Sequence, residues 1–515
     1  MANGLKRVAV NALHLGVLGV AMANGLKRVA VNALHLGALG VALAGGLKRV
    51  AVNALHLGAL GVALAGGLKR VAVNALHLGV MGVALASEPV APHDFLTKLC
   101  DDFGPRMTGT AANAAAMERL AAELRALGYA PEKVPFTTPG WERGDDRVEV
   151  MAPFGRRLRV ASLSYTQPHA AFEAEVVDLG NGKEEELAKL ETRGRIGVLS
   201  PTTALQTGEI VAMAVARGLR AVLFVNREGG GQLLARTGSF AGTPLPLPIY
   251  SLAQEEGRWL QRLRARGTAV RVRLETTSRC GEVQTANLRL VVPGRVESRL
   301  IVGAHFDSWD LGQGAMDNGI GIAQLYALAL ALRGVTPYHT VELVWFNGEE
   351  QGLRGSRFAA AQLGATPVVA MVNLDMVGVP IGVNALGDDA LVPALERWHG
   401  ARAESARLAK GVENLNWVGS DHTPYQVAGV RALTFNGPIP RESVRYYHDF
   451  ADTIDKVPAK LIEDASAVVV DCVRALAEDR ELKAERRSAE ETEKLFTRFG
   501  LEKRMRAMGL WAEGK

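Results

Sequence analysis

Three cysteines, Cys100, Cys280 and Cys472, stand far apart in 515 residues, and no C-x-x-C pair occurs. A thiolate zinc knuckle and a disulfide scaffold are therefore excluded, and at most one bridge is possible. Each cysteine is expected to pack as a small buried hydrophobe. Acidic residues are missing altogether from positions 1–86, which carry eight Lys or Arg. The formal charge of +5 is thus the property of that segment, since 51 basic against 54 acidic residues remain, a net charge of about −3. A nucleic-acid partner loses its motive. Long clean apolar runs are also lacking, because each apolar stretch of the first 86 residues carries an Asn and a His and is marginal in length for a bilayer span.

Hydrophobic residues nevertheless make up 48% of the chain, so it folds, and its length predicts two domains with appendages. The first 86 residues are one 21-residue unit written four times, LKRVAVNALHLG recurring at Leu5, Leu26, Leu47 and Leu68. Solenoid repeats of such a period normally diverge, because each packs in its own surroundings. These copies differ at only a few positions. The last one has the three parts of a secretory signal: basic Lys69 and Arg70, an apolar run from Val71 to Val83, and Ala84-Leu85-Ala86 before Ser87. A signal peptide with tandem copies, cleaved after Ala86, is expected, and with it a secreted or periplasmic protein with no stable membrane span. The repeat histidines His14, His35, His56 and His77 then have no part in function.

Beyond it, helical patterns run from His93 to Phe103 and from Asn113 to Leu127, with GPRMTGT as a turn between them. From about Thr138 short β-type runs take over, interrupted by helices near Gly208–Arg217 and Gln254–Arg266. After TANLRLVVPG, strand and helix alternate, which implies a mostly parallel twisted sheet covered by helices on both faces. The expected organisation is an α/β domain in two parts, 87–144 and 276–479, a mainly β insert at 145–275 read as a packing or gating domain, and a charged helical tail at 480–515 read as a solvated terminus.

Four strand ends in the second part deliver metal-type side chains: His305 and Asp317, then Glu349 and Glu350, then Asp375, and finally His448. In open α/β sheets, ligands bind beyond the carboxyl ends of the strands. A two-metal hydrolase needs a carboxylate that bridges two ions, terminal His and carboxylate ligands, and open positions for water and substrate. This set contains each kind of group. Adjacent glutamates also suit it, because one can ligate while the other takes a proton from water. His93, His169, His339 and His399 are read as structural, Asp421 and His422 as positioning a loop, and Asp310 as a loop residue.

The segments HFDSWDLGQGAMDNGIG, FNGEEQGLRGS and YYHDFADT resemble the zinc-dependent exopeptidase family of the aminopeptidase and glutamate carboxypeptidase group, with SWDLGQGAMDN most like its carboxypeptidase Q branch. The resemblance covers about Asp94 to Glu478, and the insert falls where that group carries a protease-associated domain. It implies two zinc ions, with Asp317 bridging, His305 and Asp375 completing one site and Glu350 and His448 the other. It further implies Glu349 as general base, Tyr447 as the group steadying the oxyanion, and Asp307 as a residue that orients the ligands. VNLDMVG and GSDHTPY have an aminopeptidase wording. The expected activity is that of a metallo-exopeptidase, an aminopeptidase or dipeptidase acting on short peptides, with a homodimer left open. A glutamate-type carboxypeptidase, with Arg441 and Arg445 near His448, and a non-catalytic binding protein like transferrin receptor are the alternatives.

Overall fold

A computed structural model describes residues 89–402 and 406–511, and within the first 88 residues only the backbone of short strands. There, Val8–Asn11, Val29–Leu34 and Val50–Leu55 pair in parallel, Val8 against Val29 and Val29 against Val50, so equivalent repeat positions face one another. The cleavage position expected after Ala86 lies outside the described residues.

The main unit is built on an eight-stranded sheet. Its order is Gly411–Glu413, Gly382–Asn384, Ala432–Asn436, Val368–Asn373, Val296–His305, His339–Phe346, Arg279–Val292 and Glu132–Glu142. The middle four, from Ala432–Asn436 to His339–Phe346, are parallel, and the strands added at either side are joined to them antiparallel. Central strands buried on both faces must be apolar throughout, and Val368–Asn373 is buried at every position. The last strand, Glu132–Glu142, is not legible in the sequence because it contains Pro135 and Pro139. Those prolines are tolerated because it is an edge strand, pairing among the described residues with Arg279–Val292 alone.

Helix Ile320–Ala331 follows the first motif and is apolar nearly all round, since it lies between the sheet and the helices Pro92–Phe103 and Ala459–Glu478. One contiguous core, including Phe95, Leu325, Trp345 and Val473, joins these layers. No described helix is long and apolar enough to cross a membrane.

Residues 146–276 form a second eight-stranded sheet. Its inner strands His169–Asp178, Ile196–Leu199, Ala221–Val225 and Ile249–Leu252 are parallel, with helix Thr207–Ala216 between the second and third in the chain and helix Gln254–Ala265 after the last. The insert is thus α/β in its centre, not simply β. One of its cores takes in Met107, Trp141 and Trp309, so it is packed onto the loop that follows His305.

The tail is helical at Ala489–Arg498 and Glu502–Ala507, but the expectation of a solvated terminus is corrected. Leu495, Phe496, Met505 and Met508 are buried, the last three clustered with Val418 and with Phe240 of the insert. Its apolar residues recur at helical spacing, so the charged faces are solvated while one stripe docks. Arg357 donates to the Met508 carbonyl at 2.7 Å, which ties the tail end to the sheet domain. All three cysteines are free; Cys100 and Cys472 are buried and Cys280 is half-buried. His93, His339 and His399 each bond a backbone carbonyl, and His169 meets the Tyr250 hydroxyl.

Candidate metal centre

Strand Val296–His305 ends on His305, and the loop beyond it turns back to set Asp317 beside it. The turn depends on Gly314, whose φ is +60° and where a Cβ would stand 2.2 Å from that of Ser308. Arg106 holds the two ends of this loop together. Its buried guanidinium donates to the carbonyls of Phe306, Gln313 and Gly314 at 3.0, 2.7 and 2.9 Å.

Asp317 is the shared member of two groups of donors. One of its oxygens lies 3.0 Å from His305 Nε2, which is 3.5 Å from Asp375. The other lies 3.0 Å from His448 Nε2, which is 3.1 Å from Glu350. The donor atoms of each triad, His305–Asp317–Asp375 and Asp317–Glu350–His448, lie within 4.8 Å of one another. Both imidazoles are aimed by their other nitrogen. His305 Nδ1 donates to the Asp307 carbonyl and His448 Nδ1 to the Ala235 carbonyl, each at 2.9 Å, leaving Nε2 free to face the acids. His448 adopts a left-handed φ of 57°, a conformation that costs on the order of 1 kcal/mol and that its surroundings must hold.

The carboxylates are fixed in the same way. Asp307 is buried, and its oxygens accept the Glu349 and Glu350 N–H groups at 3.1 and 3.3 Å, so it sets the backbone that carries both glutamates. Ser420 Oγ donates to Asp375 at 2.6 Å and accepts from Asn373 at 2.9 Å. Asp452 accepts the Met316 and Asp317 N–H groups at 2.7 and 3.1 Å, which orients the shared carboxylate. Thr237 Oγ1 donates to the Glu350 carbonyl.

The electrostatics are those of acids crowded out of water. Burial works against protonated His448, yet the Glu350 and Asp317 carboxylates beside it together outweigh burial and lift its pKa to about 10. Burial raises Glu350 to about 7 against the opposing His448 charge, and it raises Glu349 well above the usual carboxylate range, with Glu350 adding to the effect. Burial also disfavours ionised Asp317, but hydrogen bonds from His305 and His448 prevail and hold it below its ordinary value. Among the described residues the buried Glu350 Oε1 has no hydrogen-bond partner. Two imidazoles and three carboxylates converging with an unpartnered acceptor fit divalent cations held by N and O donors.

Tyr447 stacks on His448 with ring centroids 3.6 Å apart, and its ring is open at the rim. Burial of its hydroxyl and the charges of Asp317, Glu350, Glu349 and Asp375 keep it a phenol. Asp310 is bound to Arg143 at 2.6 Å and stays out of the centre. His422 bonds the Trp417 carbonyl at 2.9 Å and also stays out. Asp421 is fully buried near Glu349, and burial lifts its carboxyl to about 7. Arg441 pairs with Glu228 and Arg445 donates to the Gly229 carbonyl.

Sequence reading missed Arg106, Thr237, Ala235, Ser420 and Asp452. Asp452 stands in the YYHDFADT segment and Ser420 in GSDHTPY, so these two had a local signal. Ala235 had none, because any residue offers a carbonyl.

Fold and donor geometry define an α/β protein with two adjoining groups of His, Asp and Glu side chains suited to divalent cations. Residues 287–473 match the model of Peptidase family M28. The chain is similar to aminopeptidase YwaD of Bacillus subtilis, 25% identical over 73% of this chain and 82% of that protein. It is also similar to carboxypeptidase Q of Bos taurus, 27% identical over 51% of this chain and 59% of the relative. In fold it matches the M28 peptidase precursor of Shewanella amazonensis with a TM-score of 0.68, 21% identity, and coverage of 78% of this chain and 96% of that one. The zinc aminopeptidase of Bacillus subtilis matches with a TM-score of 0.63 and 21% identity, over 76% of this chain and 96% of that one.

Proposed function

We propose that the chain is a secreted exopeptidase with two zinc ions, an aminopeptidase or dipeptidase that hydrolyses short peptides. The observation that carries this is the split of Asp317 between His305 and His448, one oxygen to each, with Asp375 and Glu350 completing the two groups. The relatives support zinc and peptide hydrolysis by their kind, and the insert stands where a protease-associated domain is expected.

His305, Asp317 and Asp375 would hold one ion and Asp317, Glu350 and His448 the other. The chemistry zinc supplies when bound is polarisation of the scissile carbonyl and acidification of water. Glu349 lies next to a ligand with its N–H anchored on Asp307, and its burial favours proton uptake. It takes the proton of the attacking water and returns it to the leaving amine. Tyr447, kept protonated and turned toward the acids, donates a hydrogen bond to the developing oxyanion. Burial of His305, Asp317 and Glu350 excludes bulk water, which strengthens each of these interactions.

Glu349→Gln should retain both zinc ions while kcat falls by about two to four orders of magnitude. Near-normal turnover in that variant would overturn the role of Glu349. Comparison of an amino-blocked with a carboxyl-blocked dipeptide tests polarity, since cleavage of the amino-blocked substrate alone would favour a carboxypeptidase. N-terminal sequencing of exported protein tests cleavage after Ala86.

A further inference from the structure

The C-terminal tail lies against the turn from which Ser420 reaches Asp375. In the segment leading to that turn, Leu415 and Trp417 are exposed while Asn416 and Val418 are buried. Val418 is 0% exposed, and the buried side chains that cluster with it, Phe496, Met505 and Met508, all come from the tail. The next residue, Gly419, has a φ of +116°, and a Cβ there would stand 2.6 Å from Arg504 Nη2, so the tail helix Glu502–Ala507 is seated on its backbone. Gly419 N donates to Thr423 Oγ1 at 3.0 Å and Thr423 N to the Ser420 carbonyl at 2.9 Å, which closes the turn. Ser420 in turn donates to Asp375 at 2.6 Å.

The tail is itself anchored along its length. At its start Arg487 pairs with the buried Asp388 and donates to the Val430 carbonyl at 2.9 Å. Farther on, Lys503 Nζ lies 2.6 Å from a Glu209 oxygen of the insert, and Arg357 holds the Met508 carbonyl at 2.7 Å. A segment tied at its start, middle and end presses on the turn from a fixed direction. Apolar surface stays out of water only while its partners remain in place. Trimming the tail's side chains therefore leaves Val418 free to shift, and the Ser420 hydroxyl, two residues on, shifts with it.

We propose that the C-terminal tail is a positioning element of the metal centre: Met505, with Phe496 and Met508, fixes Val418 and so holds Ser420 on Asp375, which sets the zinc affinity of the group formed by His305, Asp317 and Asp375. The assignment rests on the two-zinc reading above and extends the centre's support to a segment 130 residues beyond the ligand it serves. Groups that orient a metal ligand from behind govern affinity without touching the metal. The group of Glu350 and His448 has other supports, Thr237 on the Glu350 carbonyl and the Ala235 carbonyl behind His448, so the tail acts on one group and not the other.

The test titrates zinc into the metal-free full chain against a chromophoric chelator. Met505→Ala should weaken the His305 and Asp375 group about tenfold, the lower end of the range for a ligand's lost outer support, and leave the Glu350 and His448 group within twofold of wild type. Met505→Leu, which keeps the volume, should restore both affinities. Leu260→Ala supplies the comparison: it opens a cavity in the separate core of the insert and should leave both affinities unchanged, because a site in a folded chain does not weaken merely through lower global stability. Should Met505→Ala fail to fold, Leu510→Ala, which trims a half-buried member of the same cluster, is read instead and should weaken the same group at least threefold. Two zinc ions bound with affinities that the tail substitution leaves within twofold would overturn the assignment alone. So would equal weakening of both groups, or the same selective loss in Leu260→Ala. Uptake of fewer than two ions by the wild-type chain overturns the two-zinc reading and this assignment together.

Discussion

Ser420→Ala isolates one prop of the centre. The hydroxyl is fully buried, donates to Asp375 at 2.6 Å and accepts from the Asn373 amide at 2.9 Å. Removing it takes a charge-assisted bond from Asp375 and leaves a buried Asn373 N–H without that acceptor. A hydrogen bond to a charged group is worth about 1.5–3 kcal/mol, and an orphaned buried donor costs about 1–3 kcal/mol. The two losses share one hydroxyl, so the expected loss of folding stability is about 2–3 kcal/mol. Asp375 is then free to rotate away from His305, and the zinc affinity of that group should fall about 10- to 100-fold. Competition titration with a chromophoric chelator reads the two sites separately. Only the site of His305 and Asp375 should weaken, while that of Glu350 and His448 keeps its affinity. Urea unfolding of the metal-free variant supplies the stability term. Zinc affinity within twofold of wild type at both sites would refute the idea that Ser420 positions the ligand.

Phe496→Ala should cost about 3–5 kcal/mol, because the ring is 3% exposed in the cluster that docks the tail on Val418 and Phe240, and a change below 1 kcal/mol in urea unfolding would mean that the tail is not docked. His422 is kept neutral by burial, which lowers its pKa to about 4 against its Trp417 hydrogen bond. Below pH 6.5 the unfolded chain binds a proton that the folded one refuses, so stability falls as pH drops toward 4, by about 2 kcal/mol between pH 7.5 and 5. His422→Gln keeps an N–H for the Trp417 carbonyl and should remove that part of the acid lability; identical pH profiles for the two proteins would contradict it.

Periodicity alone revealed the α/β alternation, because strands buried on both faces have to be continuous apolar runs and the helices between them amphipathic or fully apolar. The helices flanking GPRMTGT were legible for that reason. Strand Glu132–Glu142 was not, since an edge position removes the penalty that normally keeps proline out of sheets. The tail was misread because charge dominates its composition, while four buried apolar side chains decide where it goes.

The candidate site divides along the same line. His305, Asp317, Glu349, Glu350, Asp375 and His448 are unusual side chains at strand ends, and their chemistry marks them even without coordinates. What holds them is mostly backbone: the Ala235 carbonyl behind His448, the Asp307 carbonyl behind His305, and the N–H groups of Met316 and Asp317 on Asp452. Backbone groups are the same in every residue, so only the tertiary structure says which of them is near. For the same reason the sequence by itself determined the kind of centre. The insert's share in it, with the Ala235 carbonyl behind His448 and Thr237 on the Glu350 carbonyl, was decided by two distant segments packing together, because such contacts come from the folded surface and leave no periodic trace along the chain.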